Sequence, residues 1–278
     1  MIKDILLFLD DSKTNSQRIQ LGLNLAQQHQ ANLTAAAFGS MKPIHAPKTE
    51  DEKAVYRMSE RMAEKIIDEF KTEVAATQDA ETKTDTLIIF GDTANSASKI
   101  AHYSRNYDLV ILSQPNPQQD NYHHMLEKAQ QVLLYSGRPV LFIPYTGAKN
   151  IHFKKAMIAW DGTPSVSRSV HDAIALLRKV EKVIILVVES VKQQEIKKEV
   201  LVEGLATHLG NHDVNVEIHK VNPGGNSVTS VIQNQISDQA IDLLIMGGHG
   251  TPTLTQKIFG TVTSNLLSSL VVPVLISN

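Results

Sequence analysis

The sequence predicts an α/β protein of two tandem units, each a five-stranded parallel sheet flanked by helices. Three observations carry that expectation. Short, almost uninterrupted apolar runs alternate along the 278 residues with stretches of helical spacing. Strands without polar alternation, separated by helices, belong to parallel sheets covered on both faces. After the fifth run the series begins again, and a segment rich in small and polar residues, Tyr145-Thr146-Gly147-Ala148-Lys149-Asn150, is expected to be a hinge between the two sets. The expected domains are residues 1–146 and 151–278.

In the first unit the strands fall at Ile5–Leu9, Leu33–Phe38, Leu87–Phe90, Leu109–Leu112 and Val140–Ile143. A helix starting near Asn15 carries Arg18, Ile19, Leu21, Leu23, Leu25 and Ala26, and a longer one runs through Met58 to Phe70. In the second unit the strands fall at Ala156–Trp160, Val183–Val188, Val214–Ile218, Leu243–Met246 and Val274–Ile276. Each unit closes on a Pro-Val strand, at Pro139 and Pro273, and proline at a strand start suits an edge.

The repetition can be counted. Asp108-Leu109-Val110-Ile111-Leu112 matches Asp242-Leu243-Leu244-Ile245-Met246 at an offset of 134, and Pro139-Val140 matches Pro273-Val274 at the same offset. Leu9-Asp10 matches Trp160-Asp161 at an offset of 151. The two offsets differ by 17 residues, so the first unit carries extra length, expected in Gly39–Tyr56 and the long helix after it.

Composition removes several chemistries. With 42% hydrophobic and 20% charged residues the chain is ordinary globular protein rather than disordered. The absence of cysteine excludes disulfides, thiolate metal sites and a cysteine nucleophile. A formal net charge of -2 argues against a protein that coats nucleic acid. No apolar run approaches the roughly 18 residues of a membrane span, and Ile5–Leu9 is too short for a signal-peptide core, so the expected location is the cytoplasm.

The most informative segment is Met246-Gly247-Gly248-His249-Gly250, followed by nine residues and then Gly260-Thr261. It follows a buried strand and precedes the helix-like stretch Val262–Leu270. Glycines in that setting let a ligand approach the main chain closely, and the next helix start offers unpaired N–H groups to an anion. Thr261 can cap that helix or bond a phosphate, and Lys257 can supply a charge. A surface turn followed by a capped helix uses the same residues. Both readings stand at this point.

The pattern Gly247-x-x-Gly250-x9-Gly260-Thr261, set between a hydrophobic strand and a final Pro-Val strand, resembles the nucleotide loop of the universal stress protein family. The resemblance extends over the whole chain as two tandem copies, and the segment GTVTSNLLSSLVVPVLI and Asp161 at the end of a first strand agree with it. It implies two Rossmann-like domains of the adenine-nucleotide alpha-hydrolase type, with ATP or a related adenine nucleotide as ligand. Only Lys257 lies within the nine-residue span of the loop, so neutralising the phosphates is expected to need Mg2+, with Asp161 or phosphate oxygens and water as ligands. The ligand would lie across the carboxyl ends of the strands. Carried over by position, Ala159 and Asp161 would flank the adenosine, Asp161 facing the ribose or a metal. Val187 or Val188 would meet the adenine edge through its backbone, and Met246 and Gly247 would sit beside the sugar. Gly250, Gly260, Thr261 and Val262 would cradle the phosphates. The family's pairing through the last strand implies an intramolecular pseudo-dimer of the two domains, and a homodimer of chains stays open.

The first unit departs from this pattern. Asp108 to Pro139 and Asp242 to Pro273 both span 31 residues, so these segments align without gaps. At the common offset Gly247 becomes Ser113, Gly250 becomes Asn116, Gly260 becomes Leu126 and Thr261 becomes Glu127. A leucine side chain fills the phosphate space and Glu127 repels an anion. Asp10 reads as a turn or capping residue before the first helix. The first unit is therefore not expected to hold a triphosphate, and Gly91-Asp92 and Gln114–Tyr122 are what it could offer another ligand.

Other motifs are weaker. His208 and His212 have metal-ligand spacing on a helix, but Gly210 lies between them and no Glu follows His208. No Gly-x-Ser-x-Gly elbow or Walker loop occurs, and no catalytic residue is assigned. Trp160 fits either stacking on a base or a core position. The favoured function is a stress-response regulatory module that binds nucleotide in its second domain; the alternative is a slow ATPase, or a hydrolase of a small ligand.

Overall fold

An apolar run without polar alternation needs cover on both faces, and the first strand receives it. In β1 (Asp4–Leu9) the side chains of Ile5, Leu6 and Leu7 are wholly buried. The computed structural model describes residues 1–40, 49–77, 81–91, 96–119, 122–148, 150–189, 197–248, 267–269 and 271–278. These fall into two units, Met1–Ile151 and His152–Asn278.

The first unit continues with α1 (Asn15–His29), β2 (Asn32–Ser40), α2 (Glu50–Ala76), β3 (Thr84–Gly91) and α3 (Ser96–Ser104). It closes with β4 (Leu109–Ser113), α4 (Tyr122–Ser136) and β5 (Val140–Ile143). Its strands are parallel, in the order β3-β2-β1-β4-β5. The second unit opens with β6 (Lys155–Ala159), α5 (Pro164–Leu177), β7 (Lys182–Val188), α6 (Lys197–Gly210) and β8 (Val216–Val221). It ends with α7 (Val228–Asp238), β9 (Leu243–Gly247) and β10 (Val274–Ser277). Its parallel order, β8-β7-β6-β9-β10, is the same. Each unit is therefore the α/β sheet that the apolar runs predict. In each, the strand order reverses beside the first strand, which opens a crevice at the carboxyl ends.

The duplication reaches individual hydrogen bonds. Asp108 Oδ2 accepts from the N–H groups of Lys3 (2.7 Å) and Asp4 (3.1 Å), clipping the start of β4 to the start of β1. Asp242 Oδ2 accepts from Lys154 (2.9 Å) and Lys155 (3.0 Å) in the same way. The N–H groups of Val110 and Leu244 both donate to a proline carbonyl, of Pro139 (3.1 Å) and Pro273 (2.9 Å).

Two local expectations shift. The third strand of the second unit begins at Val216, not Val214. Val214 is buried, but its N–H donates back to Leu209 O at 3.1 Å after Asp213 takes φ 60. Its apolar character serves the end of α6. The segment after β5 is no free hinge either. Tyr145 N–H donates to Gln114 Oε1 at 3.1 Å, Gly147 N–H to Pro144 O at 2.8 Å, and Asn24 Nδ2 on α1 to Ile151 O. Ala148 is buried, so this strap belongs to the first unit. The extra length of that unit shows in α2, 27 residues against 14 described in α6. No helix among the described residues is long and apolar enough to cross a membrane.

In the second unit α5 packs over β9 and β10. The hydroxyl of buried Ser169 donates to Ser165 O (3.2 Å) and accepts from the N–H of Ser277 (2.8 Å), tying the last strand to the helix. Ser169→Ala would strand a buried N–H, so it is expected to lower the unfolding free energy by about 1–3 kcal/mol. Urea denaturation checks this, and an unchanged midpoint would mean that Ser277 does not depend on Ser169.

Candidate functional site

The crevice of the second unit is built where β6, β7 and β9 end. Ala159 is the last residue of β6, and Trp160 extends the pairing by donating its N–H to Leu186 O at 2.9 Å. Trp160 is half-buried. The chain then turns at Asp161-Gly162-Thr163, with Gly162 at φ 73. Asp161 Oδ1 accepts from the Thr163 N–H (2.9 Å) and hydroxyl (2.7 Å), so one carboxylate oxygen makes the turn. The Thr163 oxygen in turn caps α5 by accepting from the Val166 N–H at 3.4 Å, and Pro164 fills the first helical position, where no N–H is needed. Asp161 is exposed, and no cation among the described residues pairs with it.

At the end of β7, strand alternation separates two residues that the sequence leaves open. Leu186 O bonds toward β6, whereas Glu189 N–H donates to Val221 O at 2.9 Å, on the β8 side. Parity therefore turns the backbone of Val187 toward β8 and that of Val188 toward the crevice. If a flat ring meets this edge, Val188 is the residue to bond it, not Val187.

Met246 is buried near the end of β9, and Gly247 follows. A Cβ on Gly247 would stand 2.8 Å from the Val166 nitrogen and 3.0 Å from Ser165 Oγ. Gly248 N–H donates to that same Oγ at 2.8 Å. The first glycine thus lets the start of α5 sit against the end of β9. Ala159, Asp161, Val188, Met246 and Gly247 are brought to one end of one sheet. Gly250, Lys257, Gly260, Thr261 and Val262 lie outside the described residues.

The same place in the first unit is differently filled. Ser12 N–H donates to Asp10 Oδ1 at 3.0 Å, reproducing the aspartate turn. Asp10 is more than a turn residue, however, because Arg18 on α1 reaches it. The Arg18 side chain is wholly buried, and Asp10 is 36% exposed. Arg18 Nη1 donates to Asp10 Oδ2 (3.3 Å) and Phe8 O (3.4 Å), and Nη2 to Ser12 Oγ (2.9 Å), Asp10 Oδ1 and Asn15 Oδ1. Burial would raise the Asp10 pKa, but the Arg18 charge and hydrogen bonds, with the Ser12 donors, hold it below the ordinary value. Lys128, half-buried on α4, lies over the Phe38 ring with Nζ 5.5 Å from its centroid. Burial pushes its ammonium below the usual lysine range, against the opposing pull of Asp10. This crevice carries its own cations.

The offset of 151 that relates Asp10 to Asp161 also places Arg18 on Ser169. That signal was in the sequence, yet Arg18 reads there as one member of an apolar helical stripe. The other counterparts serve local structure: Asn116 Oδ1 accepts from Gln118 N–H at 3.0 Å, and Leu126 and Glu127 lie on α4. Asp92 is outside the described residues. His208 and His212 meet edge to face, with ring centroids 4.8 Å apart.

Residues 152–278 match the Universal stress protein family. Among solved structures, the chain is similar over 99% of its length to a universal stress protein from Archaeoglobus fulgidus DSM 4304, covering 96% of that chain at 17% identity and a TM-score of 0.72. It is also similar over 99% of its length to a functionally unknown protein from Pseudomonas aeruginosa PAO1, covering 92% of that chain at 13% identity and a TM-score of 0.59. At these identities the likeness is one of fold. No curated protein matches.

The Asp10–Arg18 pair makes a signed prediction. A carboxylate with a depressed folded pKa stabilises above its unfolded value, about 3.9, and that stability is lost as pH falls through the folded value. Asp10→Asn is expected to flatten this acid limb and, by stranding a buried cation, to cost about 3 kcal/mol at neutral pH. Asp10→Asn with Arg18→Met should recover most of that cost. Denaturation against pH checks both, and a double variant no more stable than the single one would overturn the pairing.

Proposed function

The chain carries a universal stress protein domain at residues 152–278, and from that premise we propose that this unit binds ATP or a related adenine nucleotide as a regulatory module of a cytoplasmic stress response. One observation carries the reading. Asp161 is exposed and without a cation among the described residues, whereas its counterpart Asp10 is committed to Arg18.

Adenosine would lie across the ends of β6, β7 and β9, with its base edge at the Val188 backbone and Ala159 and Met246 beside it. The Asp161 carboxylate has one oxygen in the turn and one to offer a ribose hydroxyl or a metal. Hard carboxylate oxygens are what Mg2+ takes, so the described residues fit both groups. Bound Mg2+ would neutralise phosphate charge. The phosphates would extend from Gly247 toward Gly250, Gly260, Thr261 and Val262, with Lys257 as a further charge. A hydrolytic role is disfavoured because the sequence offers no general base for a γ-phosphate. Multiple turnovers of ATP, lost in Asp161→Ala, would instead assign a slow ATPase.

Calorimetry is expected to give about one nucleotide per chain, since of the two aspartates only Asp161 is without a cation among the described residues. A stoichiometry near two would overturn the assignment to the second unit. Gly260→Leu, which installs what Leu126 is in the first unit, should abolish binding while circular dichroism is unchanged. The outer phosphates are tested separately. Lys257→Ala should weaken ATP more than AMP, and ATP should bind more tightly with Mg2+ than with EDTA. Equal losses for the two nucleotides would remove Lys257 from the site.

A further inference from the structure

The backbone N–H that follows the fourth strand goes to different places in the two units. In the first, Gln114 N–H donates to Ile143 O at 2.7 Å, so the chain stays on β5 for one residue past β4. The offset of 134 places Gly248 on Gln114 and Ser277 on Ile143. Gly248 N–H, however, donates to Ser165 Oγ at 2.8 Å. The bond that runs along the sheet in the first unit runs here to a hydroxyl on the first turn of α5.

The sheet itself does not need that contact, because the first unit has the same strand order without it. At the offset of 151 the counterpart of Ser165 is Thr14, whose hydroxyl meets Ser12 Oγ at 3.0 Å inside the aspartate turn. In the second unit the contact is built from both sides. Gly247 makes room for it, since a Cβ there would stand 3.0 Å from Ser165 Oγ. Ser165 in turn sits on a fixed turn of helix: the Thr163 oxygen accepts from Val166 N–H at 3.4 Å, and Ser165 O accepts from the buried Ser169 hydroxyl at 3.2 Å.

We propose that Ser165 is a positioning residue of the nucleotide site: its hydroxyl turns the chain off the sheet at Gly248, so that the glycine loop starts where its N–H groups can meet phosphate. The inference rests on the nucleotide reading above and adds a division of labour to it. Ala159, Val188 and Met246 are strand residues whose places the ladders fix, so contacts to adenosine do not depend on Ser165. Contacts to phosphate do, because they need the residues after Gly247 to leave the strand direction and present backbone donors. Ser165 touches no ligand in this arrangement and acts only through Gly248.

Calorimetry on the full chain with ATP and with adenosine tests this. Ser165→Ala is expected to weaken ATP about tenfold, the worth of one hydrogen bond, and to leave adenosine unchanged. Ser165→Thr keeps an oxygen and Ser165→Val has the same shape without one, so the threonine variant should bind ATP more tightly than the valine variant. Circular dichroism checks that all three keep the fold. Equal losses for ATP and adenosine would make the contact merely structural and overturn the proposal. So would an ATP affinity that Ser165→Ala leaves unchanged, or threonine and valine variants that bind ATP alike. In each of these cases the wild type still binds, and the nucleotide reading stands. A wild type that binds neither ligand would overturn that reading, and this proposal with it.

Discussion

What happens at the carboxyl ends of both sheets depends on how the first helix of each unit is tied to the strand ends. In the second unit the ties are small: Ser165 Oγ takes the Gly248 N–H at 2.8 Å and Ser169 Oγ takes the Ser277 N–H at 2.8 Å. Gly247 has no side chain to hold α5 away. The aspartate that ends the first strand is then left with no ionic duty among the described residues. In the first unit the residue at the Ser169 position is Arg18, whose buried guanidinium must be neutralised wherever it goes. Asp10 is the carboxylate within reach, and the pair consumes it. One substitution in the register of a helix thus changes what its crevice can do.

The opposite ends of the strands tell the contrasting story. Asp108 and Asp242 make the same pair of backbone hydrogen bonds, and the two proline carbonyls accept from equivalent strand residues. Those contacts hold the first and fourth strands in register, which any sheet of this order requires, whatever ligand it takes. The amino ends are alike because they serve the fold; the carboxyl ends differ because they do not have to agree.

The same division explains what could be read in advance. Strand runs, their order and the duplication were legible because each depends on local apolar patterning and on counting. The place of Asp161 was legible because it follows a strand directly. The Arg18–Asp10 pair was not, since a charged residue inside an apolar stripe is normally exposed at its edge, and only tertiary packing shows that it turns inward. The choice between Val187 and Val188 needed the strand's hydrogen-bond parity, which no composition carries. Val214 misled for a related reason: burial at a helix end and burial in a strand look the same in sequence.

Whole-unit charge and local charge also point in opposite directions here. Residues 1–147 carry 15 Lys+Arg and 18 Asp+Glu, and residues 148–278 carry 12 and 11, so the units sit near -3 and +1. Yet the first crevice holds two cations against one carboxylate, while the described part of the second holds the Asp161 carboxylate. A difference of a few charges spread over a surface is screened within about 8–10 Å in physiological salt, whereas a partly buried charge is not. The local arrangement therefore decides. In the first unit Arg18 takes the Asp10 carboxylate, and burial pushes the Lys128 ammonium below the usual lysine range against the opposing pull of Asp10. In the second, a polyphosphate would meet a carboxylate with no cation beside it among the described residues. It would have to bring a metal ion or draw on Lys257 and on backbone N–H groups at a helix start.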